Sequence, residues 1–330
     1  MASVDPLEMY RGMLLIRRFE GRAGEMYAYG KIGGFLHLYI GEEAIAVGAI
    51  RATRPDDDVI GHYRDHGYAL ARGLSPRAVM AELYGKATGC CGGRGGSMHL
   101  ADAKRHFWGG HAIVSGHVPI AVGMAFARQQ QGAKTVVLDF FGDGATQHGY
   151  WPEALNMASL WRLPVVFICE DNRYGMGTAL SRAGAQEDIA KRAVAYDMPG
   201  LRVDGMDPVA VHEAVSDAVA LARRGDGPSL LVCDTYRLRG HSMADPEAYR
   251  HRDEVATWRE RDPIIRLAER LKQSKRADDG TLHDIEVGVM RVIDDAVTFA
   301  EESPDPSPDT LMQDIYARPV PLEAAFSERR

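Results

Sequence analysis

The chain has 330 residues, of which 45% are hydrophobic, so it can bury one large core or two moderate ones and is too apolar to be disordered. Its formal net charge is −7, and acidic and basic residues are interleaved along the chain. A nucleic-acid-binding surface needs a concentrated basic face, so we expect no nucleic-acid partner.

Residues 1–22, MASVDPLEMYRGMLLIRRFEGR, carry early acidic residues and only a short apolar run. This pattern predicts neither a secretory signal peptide nor a membrane span, so we expect a cytoplasmic protein without membrane association. The four cysteines, at positions 90, 91, 169 and 233, lack the CxxC spacing of zinc sites. Reduced thiols are therefore expected, rather than a metal site or a disulfide framework.

Six segments rich in β-branched and apolar residues alternate with helix-like segments, which predicts an α/β fold with a mostly parallel sheet. The predicted strands are DDVIGHY (57–63), HAIVSGH (111–117), TVVLDFFGD (135–143), PVVFICEDN (164–172), GLRVDGM (200–206) and SLLVCDTYR (229–237). Residues 118–132, 150–162 and 208–224 carry apolar residues at three-to-four spacing and are predicted crossover helices.

Two amphipathic helices are predicted near the C-terminus, over residues 262–273 and 281–303, followed by a proline-rich linker and a tail. The glycine-dense segment 85–99 is predicted to be a loop. We predict a single domain. Its parts are a helical N-terminal segment to about residue 30, an α/β core over about 31–237, a polar loop over 238–255 and C-terminal helices with a tail over 256–330.

Asp143 stands between two glycines at the end of the third predicted strand. Alone, this arrangement is equally compatible with a structural turn and with a ligand site, where glycines let a ligand approach and the next helix offers free N–H groups. Asn172 ends the following predicted strand. A carboxylate and an amide oxygen at neighbouring strand ends suit Mg²⁺ that shares its shell with a diphosphate, so a metal–diphosphate site is favoured.

The GDG sequence, followed about thirty residues later by Asn172, is similar to the fingerprint of thiamine diphosphate enzymes. The similarity extends over roughly residues 7–318, through GGFLHLYIGEEA, HYRDHGYALARGLS, GRGGSMHLAD, FWGGHAIVSG, EDNRYGMGTALSRA and RGHSMADPEAYR. The chain resembles the α subunit of the decarboxylating component of 2-oxo acid dehydrogenases, most closely the pyruvate type. The resemblance implies a thiamine diphosphate-binding fold, with its parallel sheet flanked by helices and a C-terminal helical extension.

The resemblance also implies how the cofactor is held. Asp143, Asn172 and the backbone carbonyl of Tyr174 would bind Mg²⁺, and Gly144 and Ala145 would lie against the diphosphate of thiamine diphosphate.

Five further positions match cofactor-binding or catalytic residues of the family. Tyr63 and Arg64 would reach the diphosphate, and Val114 would contact the cofactor near its aminopyrimidine ring. His37 and His241 match two active-site histidines, the second also near the diphosphate. An imidazole whose pKa lies near working pH can supply protons or hydrogen bonds to the substrate. By residue type alone, an arginine here favours a surface ion pair, a valine favours the core and a histidine favours a structural role.

The implied reaction is the oxidative decarboxylation of pyruvate with reductive acyl transfer to lipoamide. In the family a separate β subunit supplies the glutamate that activates the cofactor, within an α₂β₂ heterotetramer, and the lipoyl domain of a dihydrolipoamide acyltransferase receives the acyl group. The chain alone is therefore expected to be inactive. The loop over 238–255 would become ordered when the cofactor binds, the alternative being a plain surface loop.

Other functions stay open at this point. Thr146-Gln147-His148 and His117 depart from the usual pyruvate-type residues, so acetoin or a branched-chain 2-oxo acid is an alternative substrate. A nicotinamide-dependent dehydrogenase shares the fold rhythm, but no predicted strand is followed by GxGxxG with a suitably spaced acid. A non-catalytic assembly subunit is a third possibility, against which the intact site residues count.

Overall fold

A six-stranded, all-parallel sheet forms the centre of the computed structural model, which describes residues 5–314. The strands are β1 Asp58–His62, β2 Phe107–His111, β3 Val137–Gly142, β4 Val165–Asp171, β5 Tyr174–Gly175, β6 Thr178–Ala179, β7 Gly200–Asp204 and β8 Ser229–Asp234. The helices are α1 Pro6–Ala28, α2 Glu43–Arg51, α3 His66–Ala71, α4 Pro76–Leu83, α5 Val118–Gln130, α6 Tyr150–Leu160, α7 Leu180–Ala183, α8 Ile189–Arg192, α9 Pro208–Arg224, α10 Arg252–Arg259, α11 Pro263–Gln273 and α12 Asp279–Glu302.

The predicted parallel α/β architecture is confirmed. Five of the six predicted strands coincide with strands of the sheet, whereas the sixth, 111–117, shares only His111 with β2. The expectation of a strand over 111–117 was wrong, because β2 ends at His111. The sequence HAIVSGH has the β-branched residues typical of strands, whereas FWGG contains two glycines, which weaken strand propensity. Pairing decides the outcome, since Phe107 lies opposite Val59 of β1 while Ile113 is 70% exposed.

Each strand of the sheet interior is buried on both faces, as its continuous apolar run requires. In β3, Leu138 and Phe140 face a core formed with α1–α4, α9, α11 and α12. Val137 and Phe141 face a second core formed mainly with α5 and α6. The C-terminal helices therefore share the first core with the sheet.

The strand order β2-β1-β3-β4-β8-β7 indicates where on the sheet a ligand would bind. From β1 the chain crosses to β2 on one side and then returns to β3 on the other. Open α/β sheets bind ligands in the crevice at such a switch point, beyond the carboxyl ends of the strands. Tyr63 and Arg64 follow β1, Asp143 follows β3, and Asn172 follows β4, so all lie at this edge.

Two connections at this edge differ from the sequence expectations. Asp143–Gln147 is a 3₁₀ turn, and the next α-helix begins only at Tyr150, so no long helix starts at the GDG sequence. The polar loop predicted over 238–255 ends at His251, because Arg252–Arg259 is helical, with Asp253 and Glu254 in its first turn. Acidic residues are favourable there because they interact with the positive end of the helix dipole.

The tail and the first residues of the predicted N-terminal segment (315–330 and 1–4) lie outside the described residues. Within residues 5–314, none of the helices combines the length and the apolar composition needed to cross a bilayer. The four cysteines are unbridged.

The glycine-dense segment 85–99 is an irregular loop, as predicted, with one 3₁₀ turn at Gly96–Met98. The buried carboxylate of Glu82, at the end of α4, organises it. Four backbone N–H groups donate to its oxygens at 2.7–3.1 Å, those of Cys91, Gly93, Gly95 and Gly96. An acceptor-only group is needed at this position.

We predict that Glu82→Gln lowers the free energy of unfolding by about 2–3 kcal/mol, because the amide nitrogen of glutamine would face backbone donors instead of accepting from them. Urea denaturation followed by tryptophan fluorescence measures the change. Glu301→Gln is the control, since Glu301 is exposed and its one ion pair within residues 5–314 is with Lys31 at 3.5 Å. Equal stability of the two variants would contradict the role assigned to Glu82.

Candidate active site

A cavity of about 650 Å³ lies at the carboxyl edge of the sheet, at the switch point between β1 and β3. All ten residues that the sequence predicted for cofactor binding and catalysis line it: His37, Tyr63, Arg64, Val114, Asp143, Gly144, Ala145, Asn172, Tyr174 and His241. The fold thus brings together residues from six separate segments of the chain.

Asp143 is almost completely buried, and its Oδ2 atom has no hydrogen-bond partner among the described residues. Burial and the nearby Asp171 raise the pKa of Asp143 to about 7, although Arg237 opposes this shift. A buried carboxylate oxygen without a partner is costly, and a bound cation would offset that cost. A Cβ on Gly144 would lie 3.0 Å from the Cα of Gly175, so the backbones approach too closely there for a larger residue.

The side-chain amide of Asn172 has a fixed orientation. Its Nδ2 donates to Oε1 of the buried Glu42 at 2.8 Å, so its Oδ1 faces the other way. Oδ1 accepts from the backbone N–H of Tyr174 at 3.4 Å and from Arg237 Nη1 at 3.5 Å. These long contacts leave Oδ1 able to bind a cation. Sequence reasoning missed Glu42, which directly precedes helix α2, a helix that the sequence analysis did not predict.

The backbone carbonyl of Tyr174 lies in the short hairpin formed by β5 and β6. It accepts from Arg237 Nη1 at 2.7 Å, and the carbonyl of Met176 accepts from Nη2 at the same distance. A carbonyl oxygen has two lone pairs, so the Tyr174 carbonyl still has one for a metal ion. Arg237, which is buried, was also missed, because an arginine at the end of a predicted strand gives no sequence signal for this role.

His37, Tyr63 and His241 form an aromatic cluster in the cavity wall, with ring centroids 4.6 Å apart for His37 and Tyr63 and 5.1 Å apart for the two histidines. The Nδ1 atoms of both histidines are buried without partners. Burial, reinforced by the charge of Arg64, lowers the pKa of His37 to about 2 and that of His241 to about 3. The expectation of imidazoles that titrate near working pH therefore fails for this structure, and both rings are neutral.

Arg64 connects the end of β1 to two other segments of the wall. It is 2% exposed, its Nη1 donates to the carbonyl of Leu38 at 2.8 Å, and its Nη2 donates to the carbonyl of His241 at 2.9 Å. Each terminal nitrogen keeps a second N–H, so the predicted contact with a diphosphate stays possible alongside this bracing role.

Some of the residues that the sequence analysis singled out lie at the cavity, and others lie on the surface. Val114 is half-exposed at the cavity rather than in the core, and Gln147 and the buried His117 also line the cavity. His148 is exposed and packs against Tyr150 instead, with the two rings tilted by 38°. Of these departures, His117 and Gln147 therefore bear on ligand choice.

A hydrogen-bonded network lies beneath the cavity and was missed by sequence reasoning. Glu170, buried inside β4, accepts from Tyr68 Oη at 2.5 Å, from Tyr39 Oη and from His62 Nε2, which lies 2.8 Å away. His62 Nδ1 in turn accepts from the backbone N–H of Arg64 at 3.2 Å. Burial raises the pKa of Glu170 to about 7, while the tyrosine hydrogen bonds favour its ionised form. The network fixes the segment that carries Tyr63 and Arg64.

The chain matches the dehydrogenase E1 component family over residues 11–309. It is 49% identical to the pyruvate dehydrogenase E1 component subunit alpha of Rhizobium meliloti over 312 residues, 94% of this chain and 90% of that protein. It is 43% identical to the chloroplastic subunit alpha-3 of Arabidopsis thaliana over 96% of this chain and 75% of that protein. Identity to the corresponding subunit of Rickettsia bellii is 42%, over 94% of this chain and 95% of that protein.

We predict that Glu170→Ala lowers the free energy of unfolding by about 3 kcal/mol or more, because it removes the one acceptor that three buried donors share. Tyr68→Phe, which removes one donor and leaves the carboxylate two, should cost about 1 kcal/mol. Chemical denaturation measures both changes. Glu187→Ala, at an exposed position, is the control and should be neutral. A Glu170→Ala protein as stable as this control would show that the network does not support the site.

Proposed function

The chain belongs to the dehydrogenase E1 component family, and we propose that it is the α subunit of a thiamine diphosphate-dependent pyruvate dehydrogenase. This enzyme catalyses the oxidative decarboxylation of pyruvate and the reductive transfer of the acetyl group to lipoamide. The observation that carries the proposal at the site is the buried, unpartnered Oδ2 of Asp143 beside the oriented amide of Asn172. The family match and the relatives' names support the reaction.

The residues of the cavity fit the cofactor. Asp143, Asn172 and the carbonyl of Tyr174 offer three oxygen atoms of the kind that Mg²⁺ prefers, and the backbone at Gly144 and Ala145 offers close approach to the diphosphate. When bound, thiamine diphosphate supplies the nucleophilic carbon for attack on the 2-oxo group and the electron sink for loss of carbon dioxide.

Tyr63 and Arg64 are proposed to complete the diphosphate site, and Val114 to contact the cofactor ring. The free N–H groups of the Arg64 guanidinium suit charge-assisted hydrogen bonds to phosphate oxygens. Because Arg64 also holds the carbonyl of His241, a ligand on its guanidinium would be linked directly to the loop that carries His241.

His37 and His241 are proposed to hold the substrate and the departing acyl group by hydrogen bonds. Burial keeps both rings neutral, so each has one N–H donor and one acceptor nitrogen. A neutral imidazole polarises a carbonyl by donation without placing a second cation beside Arg64. Both rings pack against that of Tyr63 in the cavity wall.

The proposed partner is a β subunit, with which the chain would form an α₂β₂ heterotetramer and which would supply the activating glutamate. Large apolar side chains are exposed on the neighbouring helices α5 and α6. Monomeric proteins rarely expose contiguous apolar patches of large size. The exposed side chains are Ile120, Phe126, Tyr150, Met157, Leu160 and, directly after α6, Trp161. The second proposed partner is the lipoyl domain of a dihydrolipoamide acyltransferase.

A cytoplasmic location is proposed as well. The four unbridged cysteines are typical of a reducing compartment, and no helix of the described part suits a membrane. One of the relatives is named as chloroplastic, so compartments differ among the proteins that resemble this chain.

His117 and Gln147, which depart from the pyruvate-type pattern, line the cavity and can therefore affect which substrate binds. Acetoin and branched-chain 2-oxo acids are the alternatives. Pyruvate is expected to give the highest kcat/KM when all three are assayed with an artificial electron acceptor.

We predict that Asp143→Ala abolishes cofactor-dependent activity of the αβ complex and the rise in Tm caused by Mg²⁺ and thiamine diphosphate, because the cation loses its carboxylate ligand. The folded protein without cofactor should keep its Tm. Asp217→Ala, at an exposed position of α9, is the matched control and should respond to the cofactor like the wild type. Full activity of Asp143→Ala at saturating Mg²⁺ would contradict the assignment of the metal site. Stabilisation of the wild-type protein by NAD instead of thiamine diphosphate would indicate a nicotinamide enzyme.

We predict that the chain alone turns over no more than background and that co-expression with the β subunit restores activity, because the activating glutamate lies outside this chain. The assay is pyruvate-dependent reduction of the artificial acceptor at equal α concentrations. Substantial turnover by the isolated α chain would refute a shared site.

A further inference from the structure

A row of aspartates crosses the carboxyl edge of the sheet, with one member at the end of each of four adjacent strands. Asp234 of β8 lies directly opposite Asp171 of β4 on one side and Asp204 of β7 on the other. Continued by one residue, the register of β3 with β4 places Asp143 opposite Asp171. Neighbouring strands are about 4.8 Å apart, so these four carboxylates, the aspartate row, lie close together. Only Asp143 has a part in the proposed metal site.

The side chains of Asp143 and Asp171 point to the same face of the sheet. Phe141 and Cys169, two residues before them, lie opposite each other and both face the second core. Side chains two positions apart in a strand share a face. The two carboxylates also sense each other, since burial raises the pKa of Asp143 and the charge of Asp171 is the next cause of that rise.

Arginines neutralise most of the aspartate row. Like charges directly opposite each other destabilise a sheet, so such a row needs counter-charges. Arg202 of β7 connects the two central members, because its Nη2 donates to Asp171 Oδ2 at 3.1 Å and also to Asp234 Oδ1. At the far end, Asp204 pairs with Arg266 at 3.1 Å.

The end of the row at Asp143 lacks such a counter-charge. Among residues 5–314, Asp143 is the one member of the row without an ion pair. The neighbouring Asp171 is fully buried, and its Oδ1 atom has no hydrogen-bond partner there either. The Arg202 side chain is 32% exposed, so solvent screens part of its charge. The negative charge of Asp171 is therefore only partly offset.

We propose that Asp171 raises the affinity of the site for its divalent cation through its charge, without binding the ion, and that Arg202 limits this affinity. This inference rests on the proposed function. It assigns the metal site a second carboxylate beyond the three proposed oxygen ligands. A divalent ion feels a nearby unit charge twice as strongly as a monovalent ion does, so a charge on the adjacent strand is sufficient.

The proposal requires that two substitutions act in opposite directions. Asp171→Asn keeps the shape of the side chain and an oxygen that can accept from Arg202, but removes the charge. It should weaken cation binding by about tenfold. Arg202→Gln removes the opposing positive charge and should tighten cation binding several-fold. A purely structural network predicts that both substitutions weaken binding or that neither changes it.

The test is the Kd of Mn²⁺ for the αβ complex, measured from the free Mn²⁺ signal in electron paramagnetic resonance with saturating thiamine diphosphate and no substrate. Mn²⁺ suits the same oxygen ligands as Mg²⁺, and displacement by Mg²⁺ identifies the site. Asp188→Asn is the matched control. Asp188 also pairs with Arg202, at 3.4 Å, but lies outside the row, directly before α8. This control and Arg202→Lys, which keeps the charge, should bind Mn²⁺ like the wild type.

An unchanged Kd in Asp171→Asn, or weaker binding by Arg202→Gln, would overturn the inference and leave the proposed function intact. A wild-type complex that binds no Mn²⁺ in the presence of thiamine diphosphate would overturn the proposed function itself.

Arg173→Gln provides a second measurement if Asp171→Asn and Arg202→Gln fail to assemble with the β subunit. The side chain of Arg173 is 41% exposed, and its Nη1 lies 3.9 Å from Asp171 Oδ2, so its loss removes a positive charge with little effect on packing. Tighter Mn²⁺ binding by Arg173→Gln supports the proposal. Unchanged or weaker binding overturns it.

Discussion

Parallel pairing of β3 with β1 on one side and β4 on the other is the constraint on which the site depends. Because the strands run in the same direction, their carboxyl ends meet at one edge, and the chain reverses its winding direction between β1 and β3. The residues directly after these strands, including Arg64, Asp143 and Asn172, therefore converge, although they are far apart in sequence. The connections after β1 and β3 leave in opposite directions, and a switch point of this kind opens a crevice at the carboxyl edge of the sheet.

Polar groups under the cavity are supported in a chain of contacts that starts in the sheet. Glu170 fixes His62, and the Nδ1 of His62 accepts from the backbone N–H of Arg64. Glu42 orients Asn172 in the same way, by accepting from its amide nitrogen. Burial of each carboxylate costs free energy, and the hydrogen bonds that each accepts from buried donors offset this cost and fix its position. The site is thus preorganised by the core rather than by the loops around it.

The sequence was sufficient for the parts of the site that depend on local pattern. Asp143 and Asn172 stood out because apolar runs end there, and five strands were recognisable from the same runs. Glu42, Glu170 and Arg237 could not be recognised, because their roles depend on partners distant in sequence, such as Asn172 for Glu42. For the same reason the pKa values of the histidines were misjudged, since burial is a property of the fold. The strand at Phe107–His111 was misplaced because pairing with β1 outweighed its glycines.

The distribution of unpartnered atoms shows how one cavity can hold chemically different groups. At the Asp143 end, a carboxylate oxygen lacks a partner and two arginines are near, which suits a cation together with an anion. At the His117 end, the groups are neutral, and the unpartnered atoms are an imidazole nitrogen and a hydroxyl. A charged group would lose solvation at the second end without gaining a counter-charge. The polarity of the wall therefore favours an elongated ligand that binds with its charged end toward Asp143.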